Sequence, residues 1–291
     1  MNLTVGWVQQ AMSGDAETNM QNITDGVRAA AKSGARLVVL PELHRTHYFC
    51  QTENPALFDL AEPVPGPTCD ALGSVAAECS VVIVGSVFER RMPGVYHNTA
   101  VVLECDGTLA GIYRKTHIPD DPGYYEKFYF TPGDGPLYPV ETSVGRLGVL
   151  VCWDQWYPEA ARLMALAGAD ILLYPTAIGW DEADSADEKK RQFDAWQTIQ
   201  RSHAIANGLP LVAVNRCGIE SAPDSVGGIR FWGGSFAAGC QGELLASAGE
   251  EPDTGLVEID LSGVERVRRI WPFLRDRRID LYKKLTARLA I

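Results

Sequence analysis

Two segments of the chain repeat one pattern, Gly34-Ala35-Arg36-Leu37-Val38-Val39-Leu40-Pro41-Glu42 and Gly168-Ala169-Asp170-Ile171-Leu172-Leu173-Tyr174-Pro175-Thr176. In each, a glycine able to stop a helix precedes an apolar run of strand length, and a proline ends the run. Each follows an alanine-rich stretch, and upstream of that lies another short apolar run, Leu3 to Val8 or Leu147 to Val151. Strand, helix and strand in succession imply parallel strands joined by a crossover, with helices covering the sheet. Two such halves would pack as two sheets with helices outside, so the expected fold class is α/β.

The other elements fit around these halves. Met20, Ile23, Val27 and Ala30 recur at helical spacing up to Ser33-Gly34. A helix over Cys69 to Cys79 leads to a strand over Val81 to Phe88. Asn98 to Glu104 and Leu109 to Arg114 flank Cys105-Asp106-Gly107 and read as a hairpin. Lys115 to Gly135, rich in Pro, Gly, Asp and aromatics, is too long for a mere connector and reads as a binding loop. Downstream, the pattern predicts a helix over Pro158 to Ala167, a strand over Asp170 to Tyr174 and a polar loop from Trp180 to Asp187. A helix from Glu188 to about Asn207 then carries Phe193, Trp196, Ile199 and His203 on a core-facing stripe. The strands Pro210 to Asn215, Ser235 to Ala238 and Leu256 to Ile259, and a basic tail from Arg266 to Lys284, complete the pattern. No composition shift interrupts it, so 1–291 is expected to form a single domain.

Charge narrows the partners. Acidic residues outnumber basic ones 37 to 26, for a net charge of −11, which argues against nucleic acid and leaves room for a small cationic ligand. The seven cysteines are scattered without a CxxC pair, a usage that fits reduced thiols in a cytosol. The first residues lack a basic leader, and no run reaches the ~18 apolar residues of a membrane span. A cytoplasmic location away from membranes is therefore expected. His44-x-x-His47-x-x-Cys50 has metal-like spacing but no second cluster to complete it, so no metal is expected.

Cys152 closes the run Leu147 to Val151 and precedes Trp153-Asp154-Gln155-Trp156, after which Pro158-Glu159 opens a helix. A thiol at a strand-to-helix turn can be activated and can find backbone N–H groups for an oxyanion. Taken alone, a cysteine there is more often packing. Glu42 and Lys115 also stand where strands stop, so the fold could bring all three to one rim. A carboxylate could then take the thiol proton, an ammonium could hold the oxyanion, and the thiolate could attack a carbonyl-type carbon. Taken singly, Glu42 reads more readily as an exposed strand-end charge and Lys115 as a solvated turn residue, and spacing does not show that the three meet. A dyad of Cys152 with His117 is the alternative mechanism.

The residues carry a resemblance. VLPELH around Glu42, YRKTHIPD around Lys115, GYYEKFYFTPGD around Glu126 and VCWDQWYPEAARLMALAGADILLYPTAIG around Cys152 resemble the four signature regions of the nitrilase superfamily, over nearly the whole chain. The resemblance implies a four-layer α-β-β-α sandwich. It also implies a homo-oligomer, a dimer or larger, built through the helix after Cys152 and a C-terminal tail over about 266–291. Cys152 would be the nucleophile, Glu42 the general base and Lys115 the oxyanion stabiliser, with Glu126 orienting Lys115 and the attacked group. No metal or organic cofactor is implied. HIPDDPGYYEKFYF together with CWDQWYPE most resembles the branch that hydrolyses N-carbamoylputrescine to putrescine, carbon dioxide and ammonia. Amidases acting on carbamoyl amino acids or ω-amides, and a non-catalytic binding protein of the same fold, are the alternatives.

A carbamoyl amine needs a carboxylate or aromatic wall for its cationic tail. Tyr48, Asp154, Trp180 and Asp181 offer both, and Trp153 would lend its backbone N–H to the oxyanion. A carboxylate-tailed substrate would instead require an arginine, which the sequence alone does not locate near these residues.

Overall fold

The computed structural model describes residues 2–221 and 228–289. β1 (Asn2–Gln9), α1 (Ala16–Lys32), β2 (Leu37–Val39), α2 (Pro67–Cys79) and β3 (Val82–Met92) wind a parallel unit that β4 (Val95–Leu103) and β5 (Leu109–Arg114) extend antiparallel. The short helix α3 (Glu126–Tyr129) and β6 (Val140–Thr142) lead into the second half. There β7 (Gly145–Val149), α4 (Pro158–Leu166), β8 (Ile171–Pro175), β9 (Gly179–Asp181), α5 (Ala186–Asn207) and β10 (Leu211–Val214) follow. β11 (Cys217–Glu220), β12 (Ile229–Trp232), β13 (Phe236–Ala238), β14 (Leu244–Ser247), β15 (Asp253–Asp260) and α6 (Ser262–Ile270) come last.

The two large sheets run in the orders β15-β1-β2-β3-β4-β5 and β6-β7-β8-β10-β13-β14. Each has three parallel strands in its middle, and β15 and β6 hold matching antiparallel places at one edge. The repeated sequence pattern thus becomes a repeated topology. Strand alternation divides the faces. Leu3, Val5 and Trp7 of β1 and Leu37 and Val39 of β2 enter the core shared with the second sheet, while Val8 and Val38 pack with Ile23, Val27 and Leu72 of α1 and α2. Met164 of α4 and Trp196 of α5 pack on the second sheet. The result is helix, sheet, sheet, helix, the α-β-β-α arrangement of the nitrilase fold.

Local signals explain the helix ends. Asp15 caps α1 by accepting from the Thr18 N–H at 3.0 Å, and Ser185 does the same for α5 from Glu188 at 3.2 Å. Gly34 (φ +101°) and Gly208 (φ +55°) follow them in the left-handed region where a side chain is strained. Several features differ from the sequence reading, among them the short helix α3 inside the expected loop Lys115 to Gly135. β3 continues past Phe88 to Met92, because its outer end is an exposed ribbon whose charged residues hide the strand. The start of the expected Trp180–Asp187 loop belongs to β9, which pairs with β12 in a third sheet of order β11-β12-β9. Among the described residues no helix is long and apolar enough to cross a membrane.

Candidate active site

Glu42, Lys115 and Cys152 each follow the last residues of a strand region, and the facing of the two sheets brings those ends together. The Glu42 N–H donates to the Thr176 carbonyl at 3.3 Å, so the two copies of the repeated pattern meet at their ends. Lys115 follows β5 directly, and its Nζ donates to Glu42 Oε1 at 2.8 Å and to Glu126 Oε2 at 2.6 Å. All three side chains are buried. Asn98 of β4 donates from Nδ2 to the same Glu42 Oε1 at 2.6 Å. Glu42 Oε2 is buried and has no hydrogen-bond partner among the described residues. One oxygen of Glu42 is thus held while the other is left open to take a proton.

Burial by itself pulls the Lys115 pKa down, but the charges of Glu126 and Glu42 outweigh it and hold the ammonium well above the usual lysine range. Glu126 is pushed up to about 7, by burial first, against the lowering effect of Lys115. Its other oxygen, Oε1, accepts from the Tyr48 hydroxyl at 2.7 Å.

Cys152 opens a single 3-10 turn, Cys152–Trp156, with φ +44°, a conformation that costs a non-glycine residue roughly 1–3 kcal/mol. Its Sγ lies 3.6 Å from the Ala177 carbonyl. Burial, then the charge of Glu42, raises the thiol pKa well above its ordinary value, and Lys115 opposes them. These effects favour the protonated thiol over the thiolate.

Cys152 and Glu126 form the floor of a cleft of about 660 Å³. Trp153, Trp156, Tyr124 and Trp232 wall it, and Asp121, Asp181, Asp184, Glu188 and Arg191 stand nearer solvent. Of the residues expected at the substrate, Trp153 and Asp181 line this space. Three other expected substrate contacts sit elsewhere. Asp154 is buried beneath the turn, where Oδ2 accepts from the Val151 N–H (2.9 Å) and the Tyr113 hydroxyl (2.8 Å). Its Oδ1 accepts from the His117 N–H (2.9 Å) and pairs with His117 Nδ1 at 2.7 Å. With both oxygens engaged, Asp154 shapes the turn and has nothing left for a ligand. His117, the partner a Cys–His dyad would need, stacks 3.7 Å from the Tyr157 ring and is not among the residues that line the cleft with Cys152. Trp180 packs behind Trp232 at 5.3 Å and donates to the Lys189 carbonyl at 2.9 Å. Tyr48 is buried behind Glu126 rather than facing the cleft.

The sequence reading missed Asn98, Arg191 and the pair Asn215-Arg216 after β10. Asn98 was visible as a polar residue in an apolar strand, and Asn215-Arg216 as polar residues at a strand's carboxyl end. Nothing in the sequence aims Arg191 at the cleft, because only the packing of α5 brings it there.

The profile of the carbon-nitrogen hydrolase family matches residues 4–269. An N-carbamoylputrescine amidase of Solanum lycopersicum is 44% identical over 287 residues, covering 97% of this chain and 94% of the relative. A citrullinase of Francisella tularensis is 38% identical, covering 98% of each. The crystal structure of a carbon-nitrogen hydrolase from Helicobacter pylori G27 superposes with a TM-score of 0.97 at 53% identity, covering 99% of both chains.

Proposed function

The chain belongs to the carbon–nitrogen hydrolase family of the nitrilase superfamily, and from that membership we propose that it hydrolyses N-carbamoylputrescine to putrescine, carbon dioxide and ammonia, a polyamine-forming step. The observation that carries this reading is the buried Lys115 held between Glu42 and Glu126, next to a cleft that Cys152 and Glu126 line and that has acidic residues at its mouth. Its identity to the Solanum lycopersicum amidase supports the substrate.

In this reading Glu42 takes the Cys152 proton through its open oxygen as substrate enters. The thiolate adds to the ureido carbon, and the oxyanion is met by the remaining Lys115 N–H and by the backbone N–H of Trp153. A C–N bond breaks, with Glu42 returning its proton to the departing nitrogen. Glu42 then deprotonates a water that attacks the thiol-bound carbonyl, its proton returns to the Cys152 sulfur, and the carbamic acid set free loses carbon dioxide to release the second nitrogen as an amine. The cationic tail lies toward Asp181 and its acidic neighbours.

Arg191 favours a second reading. It lines the cleft paired with Glu188, and a ureido amino acid with both an ammonium and a carboxylate would find a partner for each. The citrullinase relative points the same way. Ammonia release from N-carbamoylputrescine, citrulline and N-carbamoyl-β-alanine in parallel, with Cys152→Ala as the blank, separates the readings. The diamine derivative is expected to be turned over best and the variant to be silent. Preference for citrulline would assign Arg191 to substrate binding, and activity surviving in the variant would refute the covalent mechanism.

The assembly is also part of this proposal. Ile270, Trp271, Ile279, Leu281, Leu285 and Leu289 are exposed along and beyond α6, a concentration of apolar surface that a second copy of the chain would cover.

A further inference from the structure

Asn215 and Arg216 follow β10 and take no part in the chemistry just described. Arg216 is wholly buried, and its hydrogen bonds converge on one short segment. Nη2 donates to the carbonyls of Glu42 at 2.7 Å and Leu43 at 2.8 Å, and Nη1 donates to the Thr46 carbonyl at 3.2 Å. Nη1 also donates to Glu220 Oε1 at 2.9 Å and Oε2 at 3.1 Å. Glu220 Oε2 in turn accepts from the Tyr48 N–H at 2.6 Å. The guanidinium stands 5.9 Å from the Tyr48 ring centroid and 5.3 Å from that of Phe231.

The chain needs holding here. Leu43 has φ +48°, a left-handed conformation that a leucine does not adopt without support. That bend makes the Glu42 and Leu43 carbonyls face the same cation. We propose that Arg216, fixed by Glu220, is a positioning residue that sets Glu42 against Lys115 and, through Tyr48, sets Glu126 against it from the other side. The inference rests on the reading of Glu42 as the base.

Two observations favour positioning over mere stabilisation. A buried ion pair gives little net stability, since apolar residues of like volume often serve as well. Every carbonyl and amide that this pair binds lies between Glu42 and Tyr48, the segment that carries both side chains in contact with the Lys115 pair. Asn215 completes the arrangement from the nucleophile's side. Its Oδ1 accepts from the Ile178 N–H at 3.0 Å and its Nδ2 donates to the Ile178 carbonyl at 2.9 Å, next to the Ala177 carbonyl that faces Cys152. One dipeptide at the end of β10 thus references both the base and the surroundings of the thiol.

The test uses Arg216→Lys, which keeps the charge and loses the fork, and Glu220→Gln, which keeps the guanidinium but presents an amide N–H₂ to a donor. Glu42→Gln is the control. Turnover is measured per titratable thiol, alongside alkylation of the Cys152 peptide by iodoacetamide, which needs no knowledge of the substrate. In folded variants kcat is expected to fall about a hundredfold with KM within about threefold, and alkylation should slow in step. A folded Glu220→Gln protein with kcat and alkylation near the parent's would overturn the proposal, as would a loss confined to KM. Failure of both variants to fold would assign the pair to stability alone and overturn it equally. If Glu42→Gln alkylates like the parent, it is the reading of Glu42 that fails, and that result is separately visible.

Discussion

Lys115 keeps its charge in a buried place only because two carboxylates meet it, and one of them titrates near neutrality. Glu126 is pushed up to about 7, so as pH falls through that value it takes a proton and leaves Lys115 with Glu42 alone. The expected outcome is a fall in kcat/KM for ammonia release on the acidic side of about pH 7. Glu126→Gln, fixed in the uncharged form, should lose that limb and turn over slowly at every pH. Stability carries the same sign. A carboxyl whose folded pKa lies above its ordinary 4.5 contributes stability that is full below 4.5 and lost as pH rises through about 7. The difference in melting temperature between variant and parent should therefore move in the variant's favour from about pH 5 to about pH 8. The strand-end positions of Glu42 and Lys115 were legible in the sequence, but their contact was not, since no local spacing encodes which sheet edges meet.

The turn after β7 shows how an element can be read rightly in outline and wrongly in detail. Its position followed from an apolar run ending at Cys152, whereas Asp154 read in sequence as a carboxylate for the substrate's cationic tail. Asp154 instead collects donors from the turn itself, from Tyr113 of β5 and from His117, partners that tertiary folding supplies. Asp154→Asn replaces one acceptor oxygen with a donor and leaves buried N–H and O–H groups unmatched. A loss of about 2–4 kcal/mol is expected from urea unfolding, with thiol reactivity at Cys152 falling as the strained turn relaxes. No change in either would mean that the φ +44° conformation is held by something other than this carboxylate.

At the scale of the molecule, the repeat between the two halves was legible because glycine, apolar run and proline recur in register. The edge strand β15 was legible as a strand but not as the neighbour of β1, and β9, β11 and β12 are too short to show a period. The apolar surface along and beyond α6 carries the proposal of self-association. Light scattering should find a dimer or larger species, and Ile279→Glu combined with Leu281→Glu should shift it toward monomer. An unchanged mass would exclude that surface. The division of labour between the halves reaches further. Glu42 and Lys115 ride on one sheet and Cys152 on the other, with Val39, Val84 and Leu173 among the side chains packed in the core that includes both. On the proposed mechanism that core acts as a caliper: its thickness sets the gap between proton acceptor and sulfur. A methylene added or removed there, far from any ligand, alters the reach of the base before it threatens the fold, so the interior of this protein is tuned as a measuring device as well as packed as a solid.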